Sequence, residues 1–163
     1  MKIYLIGMPG SGKTTIARNL AKTLHHQYID LDGRIEKSAL LFIEEIFESY
    51  GETKFRDMET EALRNLPEDN IVVACGGGIV TKNENKTLMR GLIFYLDTDL
   101  DTIKKRLETD YQRPLLKKMS LDMLYDDRFL KYQNFADAIV SNNSDVDETV
   151  KVIMRYLKER GYL

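Results

Sequence analysis

The chain has 163 residues, the size of one domain, and its 43% hydrophobic and 31% charged residues suit a water-exposed globule. Lys+Arg 24 against Asp+Glu 26 leaves a net charge of −2, which excludes bulk attraction to nucleic acid or an anionic membrane. One cysteine excludes a disulfide framework and a cysteine-built zinc site, and His25 and His26 are too few for a histidine-rich metal site.

In chain order, residues 3–6 read as a buried strand, an apolar run too short for a signal peptide. No run approaches the roughly 20 residues of a membrane span, so a cytoplasmic location is expected. Residues 13–24 carry Ile16, Leu20 and Leu24 at a spacing of four and read as a helix. Short strands are expected at 28–31, 71–74, 92–96 and 138–140. Helices are expected at 42–49, 54–66, 100–109, 121–135 and 148–160. Strand–helix alternation points to an α/β fold with a five-stranded parallel sheet flanked by helices. In such sheets ligands sit at the carboxyl ends of the strands, where the distinctive residues of this sequence fall.

The first strand runs into Gly7-Met8-Pro9-Gly10-Ser11-Gly12-Lys13-Thr14-Thr15. Gly-x-x-x-x-Gly-Lys-Thr between a strand and a helix is the context of a phosphate-binding loop. The glycines let backbone N–H groups turn onto phosphate oxygens, and the helix dipole points positive charge at the same place. Lys13 is a cation at a helix N-terminus, electrostatically misplaced unless an anion such as a β,γ-phosphate sits there. Thr14 has the hydroxyl that would hold magnesium. Nucleotide binding follows, with Gly10, Ser11, Gly12, Lys13, Thr14 and Thr15 as the phosphate site.

The second strand ends in Asp30-Leu31-Asp32. Alternation along an extended chain puts Asp30 and Asp32 on one side, one to help hold magnesium and one to orient a hydroxyl and take its proton. The plain alternative is that Asp32 caps the following helix. Arg56 and Glu59 are three apart and could pair on one helix face; a solvated helix surface is the ordinary place for such an Arg. Gly76-Gly77-Gly78 after the third strand permits close approach of a ligand to the backbone. Cys75 reads as a buried strand residue without chemistry. Arg106 ends a helical stretch, and Arg113 lies in a mixed, charged segment at 108–120 that could close as a flap. Its planar fork suits phosphates as charge moves to the leaving group. Arg128 and Tyr132, four apart, would by spacing alone lie on an ordinary surface helix.

Taken together, these residues resemble the shikimate kinase family, from Lys2 to about Asn143. The shared motifs are Gly-x-x-Gly-x-Gly-Lys-Thr-Thr from Gly7, Asp-x-Asp from Asp30 and Ile-Phe at Ile46. Gly-Glu-x-x-Phe-Arg-x-x-Glu from Gly51, the glycine triplet, Arg-Pro-Leu-Leu from Arg113 and Arg-x-x-x-Tyr from Arg128 complete the set. The first is common to many kinases; the order and spacing of all seven is specific. Leu40 stands where the family usually carries Gly in the turn before Ile-Phe.

The resemblance implies a three-layer P-loop kinase fold over residues 1–163, with a substrate-binding helical region near 32–60 and a mobile lid near 108–120. It implies a magnesium- and ATP-dependent kinase acting on the 3-hydroxyl of shikimate. Asp32 would contact the acceptor hydroxyls as base, and Asp30 would orient the metal shell with Thr14. Arg56 and Arg128 would clamp the acceptor carboxylate, and Gly76, Gly77 and Gly78 would line its site. Lys13 and Arg113 would neutralise the phosphates, and Arg106 would stack on adenine beside residues 142–145. A monomer is the default expectation. A gluconate or nucleoside monophosphate kinase on the same scaffold, or a non-catalytic nucleotide-binding module, are the competing readings.

Overall fold

The computed structural model describes residues 1–108, 120–143 and 145–163. Five strands, β1 (Lys2–Ile6), β2 (Gln27–Asp30), β3 (Ile71–Ala74), β4 (Leu92–Asp97) and β5 (Ala138–Ser141), form one parallel sheet in the order β2-β3-β1-β4-β5. Among the described residues, seven α-helices connect and flank them: α1 (Lys13–Leu24), α2 (Leu31–Ala39), α3 (Ile43–Arg64), α4 (Glu84–Leu88), α5 (Leu100–Leu107), α6 (Leu121–Phe135) and α7 (Val146–Glu159).

The period-2 alternation of the strands sorts their side chains between two cores. Ile3 and Leu5, Val72 and Ala74, and Phe94 and Leu96 pack on one face with Ile16 and Leu20 of α1 and Ile153 and Leu157 of α7. Tyr4 and Ile6, Ile71 and Val73, and Ile93 and Tyr95 pack on the other with Leu63 of α3, Ile103 of α5 and Leu124, Tyr132 and Phe135 of α6. Both faces are covered, as parallel sheets require. A satellite cluster of Ile35, Ile46 and Phe55 joins α2 to α3. The chain leaves β1 toward β2 on one side and crosses from β3 to β4 on the other. The crevice at this reversal lies between the carboxyl ends of β1 and β3, where ligands of open α/β sheets bind.

Several local expectations are corrected. β2 stops at Asp30, because Leu31 already opens α2, a helix the sequence pattern did not reveal. The helices expected at 42–49 and 54–66 are found, as two arms of α3 on either side of Gly51, whose φ 83 and ψ 171 are not helical. The short helix α4 was also not expected.

Leu40 ends α2 in a left-handed conformation, φ 58 and ψ 32, with 87% of its surface exposed. A side chain there costs about 1–2 kcal/mol, against about 0.5–1 kcal/mol for the greater unfolded-state entropy of glycine. Leu40→Gly is therefore expected to stabilise the fold by about 0.5–1 kcal/mol, raising Tm by about 2 °C; a lower Tm in thermal denaturation would count against the strain.

Candidate active site

The loop between β1 and α1 closes on itself before the helix starts. Ser11 N–H donates to the Met8 carbonyl at 3.1 Å. Gly12 then caps α1 in the left-handed region, φ 96, with no side-chain cap and no acidic residue in the first turn. The first N–H groups of the helix thus carry no carboxylate or hydroxyl cap, which leaves them directed at an anion. A side chain at Gly12 would also strike Asn142 Nδ2, at 2.5 Å from an added Cβ. Lys13 Nζ curls back over the loop, donating to the carbonyls of Gly7 at 2.7 Å and Met8 at 2.8 Å. Ser11 is fully buried; Thr14 and Thr15 are exposed on the first turn of α1.

Three elements distant in sequence hold this loop. Thr98, just after β4, donates to the Ser11 carbonyl at 3.0 Å. Asn142, just after β5 and 3% exposed, donates Nδ2 to the same carbonyl at 2.7 Å. Arg106, in the last turn of α5, donates to the Gly10 carbonyl at 3.1 Å and the Asn142 carbonyl at 3.4 Å. The expected Arg106 and the loop near Asn142 therefore meet beside the phosphate loop.

The glycine triplet works by close approach, and what approaches is the protein's own side chains. A Cβ on Gly76 would lie 2.8 Å from Asp32 Oδ1 and 2.9 Å from Glu59 Oε2. One on Gly78 would collide with the Arg56 guanidinium. One on Gly77 would lie 3.2 Å from Arg128 Nη1 and 3.1 Å from Pro9 Cδ of the phosphate loop. Glycines are the condition for packing two carboxylates and two guanidiniums around one turn.

The charges in this cluster are buried. Arg56 is 8%, Arg128 3% and Glu59 0% exposed. Arg56 Nη1 donates to Glu59 Oε1 at 2.5 Å, and Nη2 reaches Glu52 Oε1 at 3.4 Å. Burial pushes the Glu59 carboxyl above its ordinary range; Arg56 beside it pulls the other way, and Asp32 adds to the rise. Tyr132 Oη donates to the Gly77 carbonyl at 2.6 Å, and its ring stacks on Tyr95 at 5.0 Å. Burial raises the Tyr132 phenol to about 12, with Arg128 opposing, so it stays a donor at neutral pH. Cys75, fully enclosed, has its thiol pushed up by burial and lies within the fields of Lys13, Glu59, Asp32 and Asp30.

Of the residues singled out from the sequence, Asp32, Arg56, Gly76, Gly77, Gly78 and Arg128 converge. Gly10, Ser11, Gly12, Lys13, Thr14, Thr15 and Arg106 form the neighbouring phosphate loop and its wall. The extended-chain argument for Asp30 and Asp32 fails. Asp30 ends β2, exposed and at the cap position of α2 without a side-chain cap bond, whereas Asp32 sits in the first turn of α2 and reaches the triplet. Helix geometry, not strand alternation, aims Asp32. Asp30, not Asp32, occupies the cap position. Arg56 and Arg128 are not surface residues. Arg113 and residues 109–119 of the expected flap at 108–120 lie outside the described residues. Sequence reasoning missed Glu59 as a site residue, although its spacing from Arg56 was visible, and missed Tyr132 and Thr98 as supports.

Comparison with known proteins agrees with this geometry. The family model described as shikimate kinase matches residues 9–158. A shikimate kinase of Bacillus cereus (strain AH187) is 38% identical over 160 residues, covering 97% of this chain and 96% of its own. One from Clostridium botulinum (strain Eklund 17B / Type B) is 39% identical over 161 residues, covering 96% of each. The solved shikimate kinase from Acinetobacter baumannii in complex with shikimate superposes with a TM-score of 0.90 at 33% identity, covering 97% of this chain and 93% of that one. The Aquifex aeolicus enzyme gives 0.87 at 34% identity, covering 99% and 98%. With a phosphate loop, a buried basic cluster and full-length likeness in one chain, the protein belongs to the shikimate kinase family.

Proposed function

We propose that the chain transfers the γ-phosphoryl group of ATP to the 3-hydroxyl of shikimate, giving shikimate 3-phosphate and ADP. The observation that carries this reading is the convergence of Asp32, Arg56 and Arg128 on the glycine triplet, with Pro9 of the phosphate loop against Gly77. A small acidic acceptor with hydroxyl groups needs fixed cations for its carboxylate and a carboxylate for its hydroxyl. Both are present, next to a loop built for polyphosphate. The shikimate complex of the Acinetobacter baumannii relative supports the same acceptor.

In the proposed mechanism Arg56 and Arg128 hold the shikimate carboxylate, and Gly76–Gly78 line the ring. Asp32 accepts a hydrogen bond from the 3-hydroxyl. As that oxygen bonds to the γ-phosphorus, the hydroxyl proton passes to the Asp32 carboxylate, and the bond from phosphorus to the ADP oxygen breaks. Lys13 leaves its carbonyl partners for the β,γ-oxygens. With the N–H groups of the loop it neutralises the charge that develops on the leaving group. Arg106 flanks the adenine side. We assign Arg113 to the phosphates on the resemblance alone.

Magnesium fits the donor set. Thr14, Asp30 and Asp32 offer hard oxygens only. Among the described residues no group of three or more His, Cys, Asp or Glu could hold a metal alone; magnesium bound through nucleotide phosphates and water needs only one or two protein ligands. Thr14 would ligate it, with Asp30 orienting its shell. When bound, the ion would supply positive charge to offset that of the nucleotide phosphates. No helix among the described residues is long and apolar enough to cross a membrane. The reading places a monomeric enzyme in the cytoplasm, where both substrates are small soluble anions.

Purified protein with ATP and magnesium should release ADP with shikimate and not with gluconate, UMP or no acceptor. Release with gluconate or UMP instead would overturn the Arg56/Arg128 assignment, and ATP binding without acceptor-dependent release would favour a non-catalytic module. Asp32→Asn should retain ATP binding but lose about 10²-fold or more in kcat; near-normal turnover removes the base role. Arg56→Ala should raise KM for shikimate and leave KM for ATP alone. It should also cost about 3 kcal/mol of stability by stranding Glu59. The sign with pH follows from Glu59. A buried carboxyl already raised destabilises the fold as pH rises through its range, and removal of Arg56 raises it further. The deficit against wild type should therefore be larger at pH 8 than at pH 5 in denaturant titrations.

A further inference from the structure

A second polar pair is buried behind the acceptor cluster and is used by none of the steps above. Thr60 on α3 is 2% exposed and Asn85 on α4 is 1% exposed. Thr60 Oγ1 lies 2.8 Å from Asn85 Oδ1 and 3.1 Å from the Arg56 carbonyl. Asn85 Nδ2 donates to the Ile79 carbonyl at 2.8 Å. Ile79 directly follows the triplet, and its own N–H returns to the Gly76 carbonyl at 3.1 Å. A hydrogen-bonded path therefore runs from Thr60 of α3 through Asn85 to the backbone that ends the triplet.

We propose that the Thr60–Asn85 pair is a positioning device for the acceptor site: it sets the register of α3, which carries Arg56 and Glu59, against the turn of Gly76–Gly78. The proposal rests on the reading of this cluster as the shikimate site. Its physical basis is tolerance. The Arg56 guanidinium packs where a Cβ of Gly78 would be, and Glu59 Oε2 lies 2.9 Å from the Cβ position of Gly76. A slide of α3 along the turn by a fraction of an ångström therefore changes both the cation's place and the fit of the carboxylate beside it. Apolar packing resists separation of the two elements but is non-directional and resists sliding poorly. A buried two-bond bridge has a fixed geometry and loses its full value when one partner is removed. Positioning errors of this size cost binding and rate even when no contact to substrate is lost. The phosphate loop is held by a separate set, Thr98, Asn142 and Arg106, so the effect should fall on one substrate only.

The test compares Thr60→Val, Thr60→Ser and Asn85→Leu with wild type, reading KM for shikimate, KM for ATP, kcat and Tm. Thr60→Val keeps the volume and removes the hydroxyl; Thr60→Ser keeps the hydroxyl. The expected result is a rise of about tenfold or more in KM for shikimate in Thr60→Val and Asn85→Leu, with KM for ATP within twofold. Thr60→Ser should return the shikimate KM to within about threefold of wild type. The proposal is overturned if KM for shikimate stays put in Thr60→Val, if both KM values move together with Tm, or if Thr60→Ser behaves like Thr60→Val. If Thr60→Val and Asn85→Leu fail to fold while Thr60→Ser folds, the pair is a stability element and the proposal also falls. A wild-type protein with no shikimate-dependent ADP release overturns the acceptor reading itself; an active wild type with an indifferent Thr60→Val overturns only the positioning role.

Discussion

The acceptor side of this molecule depends on one buried ion pair, Arg56 with Glu59, 2.5 Å apart. Taking both charges out of water is unfavourable, and their attraction repays it only in a close and well-filled geometry. The surroundings are arranged around that demand. The triplet keeps side chains out of the space the charged groups occupy, Gly76 beside the carboxylates and Gly77 and Gly78 beside the guanidiniums. Arg128 and Asp32 add a second charge of each sign within the same few residues. The result is a cluster whose cations are held in place before any acceptor arrives. A surface arginine would lose side-chain entropy on binding a carboxylate; an arginine already immobilised against glycine backbone has lost it on folding.

The two halves of the site are built on different principles. The acceptor half is a packed cluster of charged side chains from α2, α3 and α6 around the turn that follows β3. The phosphate half is mostly backbone, with Lys13 over the loop and three tethers, Thr98, Asn142 and Arg106, that hold the loop in place. Pro9 against Gly77 is where the halves touch. Phosphoryl transfer asks chiefly for positioning and charge neutralisation, and a shared wall between the loop and the triplet fixes the distance between donor and acceptor without a covalent step by the protein.

Much of the sheet was legible in the sequence because its strands are short apolar runs set off by turn residues and separated by helical periods. The phosphate loop was legible because its chemistry is written in consecutive residues. Legibility failed where a local pattern had two meanings. Tyr28-Ile29-Asp30-Leu31-Asp32 alternates like a strand through its last residue, and Gly33 two positions into α2 hides the helix start. At Gly51, by contrast, the backbone leaves helical geometry, and the two helical arms of α3 are those the periodicity reads. Arg56 and Arg128 look like surface residues because burial of a charge is decided by segments distant in sequence: the turn at Gly78 for Arg56 and at Gly77 for Arg128. The family pattern assigned them a role where composition and spacing could not. The burial of Glu59 and the aim of Asp32 were visible only in three dimensions.

Asn142 joins the beginning of the chain to its end. Its side chain donates to the carbonyl of Ser11, 131 positions earlier, and accepts from Thr149 of α7 at 2.8 Å. Thr98 bridges the same two carbonyls, those of Ser11 and Asn142. The nucleotide loop precedes β5 and α7 in the chain, yet its tethered geometry is completed only when both have docked. During synthesis the emerging chain therefore carries the phosphate-binding sequence before it has the phosphate-binding shape, and nucleotide capture reports that β5 and α7 are in place.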